Sequence, residues 1–202
     1  MPTKLLLFSD LHRDTAAARS LVARAAGVDL AIGAGDFGNL RRHVNDCIEI
    51  LRSLPCPAVL VAGNNESTEQ LAKACANWPA VHVLHGTSAN VLGLSVFGIG
   101  GGIPTTPFGI WSYDFTEDDA ERLLATCTAC DIFVTHSPPW GLVDVNSRGD
   151  HLGSRAIRRA VERLQPKLVV CGHIHGSSGQ QCQLGPSTII NAGPAGVSWT
   201  LT

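Results

Sequence analysis

Residues 168–176 read LVVCGHIHG: a four-residue apolar run, then a glycine, then two histidines one residue apart. A run this short, rich in β-branched residues and closed by glycine, reads as a strand buried on both faces rather than as a helix. The same form occurs four more times upstream, in LLLFSDLH (5–12), LAIGAGDFGN (30–39), AVLVAGNNE (58–66) and DIFVTHSPP (131–139). Each run ends on residues able to bind a metal or a phosphate. In open α/β sheets the carboxyl ends of the strands form the crevice where ligands bind. The five turns are therefore expected to gather along one edge.

Gathered there, Asp10, His12, Asp36, Asn64, His136, His173 and His175 make two carboxylates, four imidazoles and one amide, with no thiolate. Hard oxygen donors mixed with imidazole nitrogen suit Mn, Fe or Zn better than an all-oxygen cage for Ca or Mg. Seven donors exceed one ordinary site of four to six but fit two sites sharing a carboxylate, so a dinuclear centre is expected. Taken singly, a core histidine is more often a hydrogen-bonded structural residue, and an aspartate after a strand is more often a helix cap. Chance does not readily place five such endings in one chain. The Asp10-Leu11-His12 and His173-Ile174-His175 pairs are expected to point their side chains to one side of an extended segment. Gly63, Gly172 and Gly176, each beside a ligand, are expected to serve close backbone approach.

Asp10-Leu11-His12, Gly35-Asp36, Gly63-Asn64, the isolated His136 and Gly172-His173-Ile174-His175 together resemble the ordered motifs of the calcineurin-like metallophosphoesterases. The resemblance runs through nearly the whole chain. It implies a four-layer αββα sandwich of two mixed sheets flanked by helices, and hydrolysis of phosphate esters by a metal-bridging hydroxide. It further implies that Asp10, His12 and His175 hold one ion and Asn64, His136 and His173 the other, with Asp36 between them. The Thr135-His136-Ser137-Pro138-Pro139 segment and His151-Leu152-Gly153-Ser154 resemble a bacterial and archaeal branch whose substrates are mostly unassigned.

One position departs from the family pattern. Where members commonly read Gly-Asn-His-Glu/Asp, with the histidine acting at the transition state or leaving oxygen, this chain reads Gly63-Asn64-Asn65-Glu66. Asn65 can donate a hydrogen bond to a phosphoryl oxygen but cannot deliver a proton near neutral pH. The leaving-group step should suffer by about 10²–10⁴-fold for a poor leaving group. A phosphodiester with a good leaving group is thus the preferred substrate. His151, just before a helical stretch, is a candidate replacement acid, with packing or capping as its alternative role. The charge balance supports an anionic ester: two divalent ions bring four positive charges, and two aspartates and a hydroxide cancel three. Manganese is the preferred metal. The competing class is a non-catalytic metal-binding scaffold or interaction module on the same fold. The complete set of seven donors favours catalysis.

At 202 residues, with no linker, repeat or charge block, the chain reads as a single domain over 1–202. A net charge of −2 without a basic stripe argues against strong nucleic-acid affinity. The expected partner is a small-molecule phosphoester, with no membrane association. Arg41-Arg42 and Arg158-Arg159 read as solvated pairs on helices, while Arg13 beside His12 is a candidate phosphate contact or a solvent-facing residue. The Met1–Lys4 lead is too short for a signal sequence, and no apolar stretch reaches transmembrane length. Seven cysteines, an odd number, fit a reducing compartment, so the reading is cytoplasmic. Cys127-x-x-Cys130 lacks a second pair.

Helical spacing of apolar residues marks 15–26, 40–53, 67–76, 116–126 and 153–164, the last two with Thr116 and Ser154 as caps. From 81 onward the strands come closer together. VHVL, NVLGLSVFGIGG, QCQLGPSTIINAG and VSWTL are expected to supply the second sheet. Residues 100–115 (GGGIPTTPFGIWSYDF) lack a period and read as a loop whose aromatics form either a substrate wall or a packed surface. His43, His82 and His85 lie apart and read as structural or exposed, and Asn191 as support behind the ligands.

Overall fold

The computed structural model describes residues 2–202. Alternation along strand β1 (Thr3–Phe8) sets the layering. Leu5 and Leu7 point into one apolar cluster, and Leu6 and Phe8 into another on the opposite face. Side chains alternate across a strand, so a run that is apolar at every position must be covered on both faces.

The first sheet has the order β11-β1-β2-β3-β4, with β2 (Leu30–Gly33), β3 (Ala58–Leu60) and β4 (Val81–Val83) parallel to β1 and β11 (Val197–Leu201) antiparallel to it. The second sheet has the order β5-β6-β7-β8-β10-β9. Its parallel centre is β6 (Leu94–Ile99), β7 (Ile132–Thr135), β8 (Leu168–Cys171) and β10 (Ser187–Asn191). Its antiparallel edges are β5 (Thr87–Val91) and β9 (Gln181–Leu184). Leu5, Leu7, Ile32, Val59 and Val61 of the first sheet meet Val96, Ile132, Val134, Leu168, Val170 and Ile190 of the second. Burying each such side chain contributes about 1.5–3 kcal/mol.

Helices α1 (Thr15–Arg24), α2 (Val44–Leu51) and α3 (Thr68–Cys75) cover the first sheet through Leu21, Ile48 and Leu71. Helices α4 (Glu117–Leu124) and α5 (Arg155–Leu164) cover the second through Ala120, Leu124, Ile157 and Val161. The result is the expected αββα sandwich of two mixed sheets. Thr116 caps α4 in a reciprocal box with Asp119, and the Ser154 hydroxyl caps α5 by accepting from the Ile157 N–H, both as the sequence indicates.

Three sequence expectations need correction. The VHVL and VSWTL runs belong to the first sheet, whereas the ligand-bearing 131–136 and 168–172 runs belong to the second. The five endings therefore come from two sheets that meet, not from one edge. Secondly, α2 starts at Val44 and not at residue 40, because Leu40 (φ 48°), Arg41 (φ 62°) and His43 (φ 63°) are left-handed, a conformation no helix of L-residues continues through. Arg41 thus leaves the helix surface and instead donates to Gln70 Oε1 at 2.8 Å and to the Trp111 carbonyl at 3.4 Å. Thirdly, the Asp-x-His and His-x-His segments are not extended, since Asp10, His12 and His173 all have positive φ and His175 opens a short tight helix (His175–Ser177).

Candidate metal centre

Where β1, β2 and β3 of one sheet end beside β7 and β8 of the other, two groups of donor atoms form. Asp10, His12 and His175 make one, Asp36, His136 and His173 the other, and within each the donor atoms lie within 4.8 Å of one another. In the first, His12 Nε2 stands 3.2 Å from His175 Nε2, and His175 Nε2 lies 3.6 Å from Asp10 Oδ1. In the second, His136 Nε2 lies 3.5 Å from Asp36 Oδ2 and 3.3 Å from Asn64 Oδ1. Asp36 Oδ2 is also 3.4 Å from His12 Nε2, so one carboxylate faces both groups. Donors held about 2.0–2.2 Å from one ion are about 3.0–3.6 Å apart along the edges of its coordination shell. The observed spacings match those edges, so the residues present fit the metals that the family implies. All seven sequence-selected donors gather here.

The backbone is bent sharply to achieve this. Asp10 (φ 57°), His12 (φ 44°), Asp36 (φ 60°) and His173 (φ 66°) are left-handed non-glycine residues. Such conformations cost about 1–3 kcal/mol each and persist only where the surroundings over-determine them. Glu66 supplies much of that restraint. Its buried carboxylate accepts the N–H groups of Asp36, Gly63 and Gly38, all at 2.8 Å, and so joins the second and third ligand loops. Burial and the nearby Asp36 charge raise its pKa to about 7, against the lowering effect of those N–H donors. Behind the His173–His175 loop, the Asn191 amide donates to the carbonyls of Val143, Gly172 and Ile174, the supporting role expected for it.

Three of these residues are aimed by a second partner. His136 Nδ1 bonds the Ala34 carbonyl at 2.7 Å, which turns Nε2 toward the donor group. Asp10 accepts from the Ser9 hydroxyl at 2.5 Å and from the His173 N–H at 3.0 Å. Asn64 Nδ2 donates to Ser112 Oγ at 3.0 Å, leaving Oδ1 for the site. Burial pulls the His136 pKa down, but the Asp36 carboxylate outweighs it and holds the value up at about 9. Burial likewise raises Asp36, yet His136 and His12 bring its carboxyl well below the usual range. His173, buried and repelled by His136, is pushed down to about 4.

Asn65 is buried among these groups. Its N–H donates to Asp36 Oδ1 and its Nδ2 to Asp36 Oδ2, both at 2.8 Å, while its Oδ1 accepts from the Leu40 N–H. His151 does not join the donors. Its Nδ1 lies 2.6 Å from Oδ1 of the buried Asp144, and its ring packs against Trp140. The 144–153 loop clasped this way puts Asn146, Arg148 and Leu152 on the cavity wall, while His151 does not line it. Of the two roles weighed for His151, replacement acid or packing, the contacts with Asp144 and Trp140 are those of packing. Arg13 pairs with Asp46 and likewise does not line the cavity.

A cavity of about 730 Å³ opens over the donors. Its other walls come from residues 104–111 of the loop after β6. Ser112, Thr106 and Asp114 were not legible as site residues: the Asp114 carboxylate accepts from the Thr106 N–H and hydroxyl and from Ser112, tying that loop to Asn64. The local sequence of alternating small polar and aromatic residues is the only hint of it.

A two-sheet sandwich with paired oxygen and imidazole donors where the sheets meet is the build of a metallophosphoesterase. The chain belongs to the calcineurin-like phosphoesterases, whose family model matches residues 3–177 and so includes all seven donors. It is 28% identical over 204 residues to human metallophosphoesterase domain-containing protein 1, covering 85% of this chain and 61% of that protein. A probable rhamnogalacturonate lyase C of Emericella nidulans is 30% identical over 172 residues, covering 76% of this chain but only 16% of that protein. The chain thus spans less than two thirds of either relative. Among solved structures, TT1561 of Thermus thermophilus superposes with a TM-score of 0.79 at 20% identity, covering 96% of this chain and 91% of that one. A dimetal phosphatase from Danio rerio superposes at 0.58 with 12% identity, covering 94% and 86%.

Gly172 offers a direct check on the packing of the centre. A Cβ there would stand 2.4 Å from both Asp10 Oδ2 and Ser9 Oγ, so no side chain fits without displacing a ligand. Gly172→Ala should weaken metal binding by about 10–100-fold, the usual cost of disturbing a ligand's supporting contacts. Metal titration read beside circular dichroism checks this. Unchanged metal affinity with a native spectrum would contradict it.

Proposed function

We propose that this chain is a metal-dependent phosphoesterase with a dinuclear centre, in which Asp10, His12 and His175 hold one divalent ion, Asn64, His136 and His173 the other, and Asp36 bridges. The observation that carries the reading is the position of Asp36 Oδ2, 3.4 Å from His12 Nε2 of one group and 3.5 Å from His136 Nε2 of the other. When bound by these residues, two divalent ions would lower the pKa of water from 15.7 toward about 7, making hydroxide available at neutral pH, and would offset the charge of a phosphoryl group. Manganese, iron or zinc suits a donor set of carboxylate, amide and imidazole without thiolate, and manganese is preferred. The whole chain, 1–202, acts as one domain, since β11, beyond the matched region, completes the first sheet beside β1.

The remaining steps fall to the protein's own groups. Asn65 steadies the bridging carboxylate through two hydrogen bonds and keeps one amide hydrogen for a phosphoryl oxygen. Among the described residues lining the cavity, the titratable groups other than Arg148 all belong to the two donor groups, which favours a small phosphodiester whose leaving group departs unprotonated. His151 acts as a positioning residue, holding the 144–153 loop through Asp144. The seven cysteines are all unpaired, which supports a reducing, cytoplasmic setting. The full set of donors with their supporting bonds favours this reading over a non-catalytic scaffold.

Two experiments test it. Purified protein stripped with a chelator should lose hydrolysis of bis(4-nitrophenyl) phosphate and regain it with Mn²⁺. Asp36→Asn should lower metal content at both positions and reduce the rate by more than about 10³-fold, whereas His12→Ala should empty mainly one position. Two ions and full activity in Asp36→Asn would overturn the assignment. The second concerns the leaving group. Asn65→His should raise the rate on alkyl phosphoesters by about 10²-fold and leave nitrophenyl diesters nearly unchanged. Equal effects on both classes would show that position 65 acts on phosphoryl charge or binding instead.

A further inference from the structure

Three of the five exposed large apolar residues among the described residues lie on the two loops that flank the cavity: Phe108 at 52% exposure, Ile110 at 105% and Leu152 at 45%. Exposed apolar groups gathered at one opening mark a place where something apolar binds. Of these, Phe108 and Leu152 line the cavity itself. Pro104, Pro107, Phe108 and Trp111 form one wall, and Arg148 and Leu152 belong to the loop of the other. The Phe108 and Trp111 rings stack on one another, with centroids 5.8 Å apart and planes 17° from parallel, and so form one aromatic pair at the cavity whose Phe108 member is half exposed.

This wall is fixed in place relative to the donors. The Tyr113 N–H donates to the Asn64 carbonyl at 2.9 Å, and the Asn64 side chain donates to Ser112 at 3.0 Å. Ser112 in turn donates to Asp114, which also accepts from Thr106 on the far side of Phe108. Arg41 donates to the Trp111 carbonyl while its guanidinium lies 5.6 Å from the Tyr113 ring centroid. A surface loop serving only to cover the fold needs no such chain of bonds to a metal ligand. Apart from the donors, the floor and walls offer few charges, so the anionic end of a ligand belongs at the metals and its remainder on the rings.

From this arrangement we infer that the cavity selects phosphoesters carrying a flat aromatic arm, which adds to the Phe108–Trp111 stack while the phosphoryl group meets the metal centre. The inference rests on the dinuclear reading above for the placement of the phosphoryl group. It adds the chemical class of the substrate to that reading. Stacking a flat ring on an aromatic wall strengthens binding by about 5–30-fold over an arm that lacks it. A bulky saturated ring of similar apolar area gains less, because it cannot lie flat.

Calorimetric titration of the manganese-loaded protein with phosphonates tests this without any turnover. Phenylphosphonate should bind about 10-fold more tightly than methylphosphonate, with cyclohexylphosphonate closer to the methyl compound. Phe108→Ala and Trp111→Ala should each narrow the phenyl-to-methyl ratio to about 2–3-fold. Phe108→Leu, which keeps apolar volume on a half-exposed position, should narrow it as well. Methylphosphonate binding with a phenyl-to-methyl ratio near one overturns the aromatic arm and leaves the metal reading standing. A ratio that survives all three substitutions overturns the role of these rings. Absence of binding by every phosphonate overturns both.

Discussion

The site depends on a single carboxylate held between two sheets. Asp36 leaves β2 in a left-handed turn, receives two hydrogen bonds from Asn65 after β3, and faces His12 after β1 and His136 after β7. Three strand ends of one sheet and two of the other must therefore arrive within a few ångströms. The inter-sheet layer of Leu, Ile and Val side chains brings them there. Any change that slides one sheet over the other moves His136 and His173 away from Asp36, so packing in this layer and metal geometry are one problem.

Holding the carboxylate in place requires restraint on a backbone that would otherwise relax. Four donors sit in left-handed conformations, and the groups that restrain them are not donors: Glu66 across three N–H groups, Asn191 across three carbonyls, Ser9 on Asp10. The same logic extends outward, since Ser112 and Asp114 hold Asn64 and the aromatic loop together. The aromatic loop is thus tied directly to the Asn64 side chain. Preorganisation of this kind lets the donors act on charge as it develops, without reorganising during the reaction.

Much of this was legible in the sequence because the informative residues sit at ends of short apolar runs. The gathering of the seven selected residues, the αββα layering and the Thr116 and Ser154 caps follow from local pattern and from the ordered motifs. Sheet membership did not, because the 81–84 and 197–201 runs carry no local mark of their partners; β4 and β11 join the first sheet through pairing with β3 and β1. The start of α2 was misjudged because apolar spacing continues through 40–43 although the backbone there is left-handed. His151 is placed near the site by position along the chain, but the fold sets it outside the cavity lining, with its Nδ1 against the buried Asp144 seven residues earlier. Glu66 was visible only as a motif letter. Its role as a clamp arises from two loops far apart in sequence.

The most direct test is a crystal structure of the manganese-loaded protein with anomalous scattering data collected to locate the metal. Two anomalous peaks about 3.5–4 Å apart are expected, one beside Asp10, His12 and His175, the other beside Asn64, His136 and His173, with a carboxylate oxygen of Asp36 within bonding distance of both. A single peak, or two peaks of which only one contacts Asp36, would contradict the shared-carboxylate centre on which the account rests.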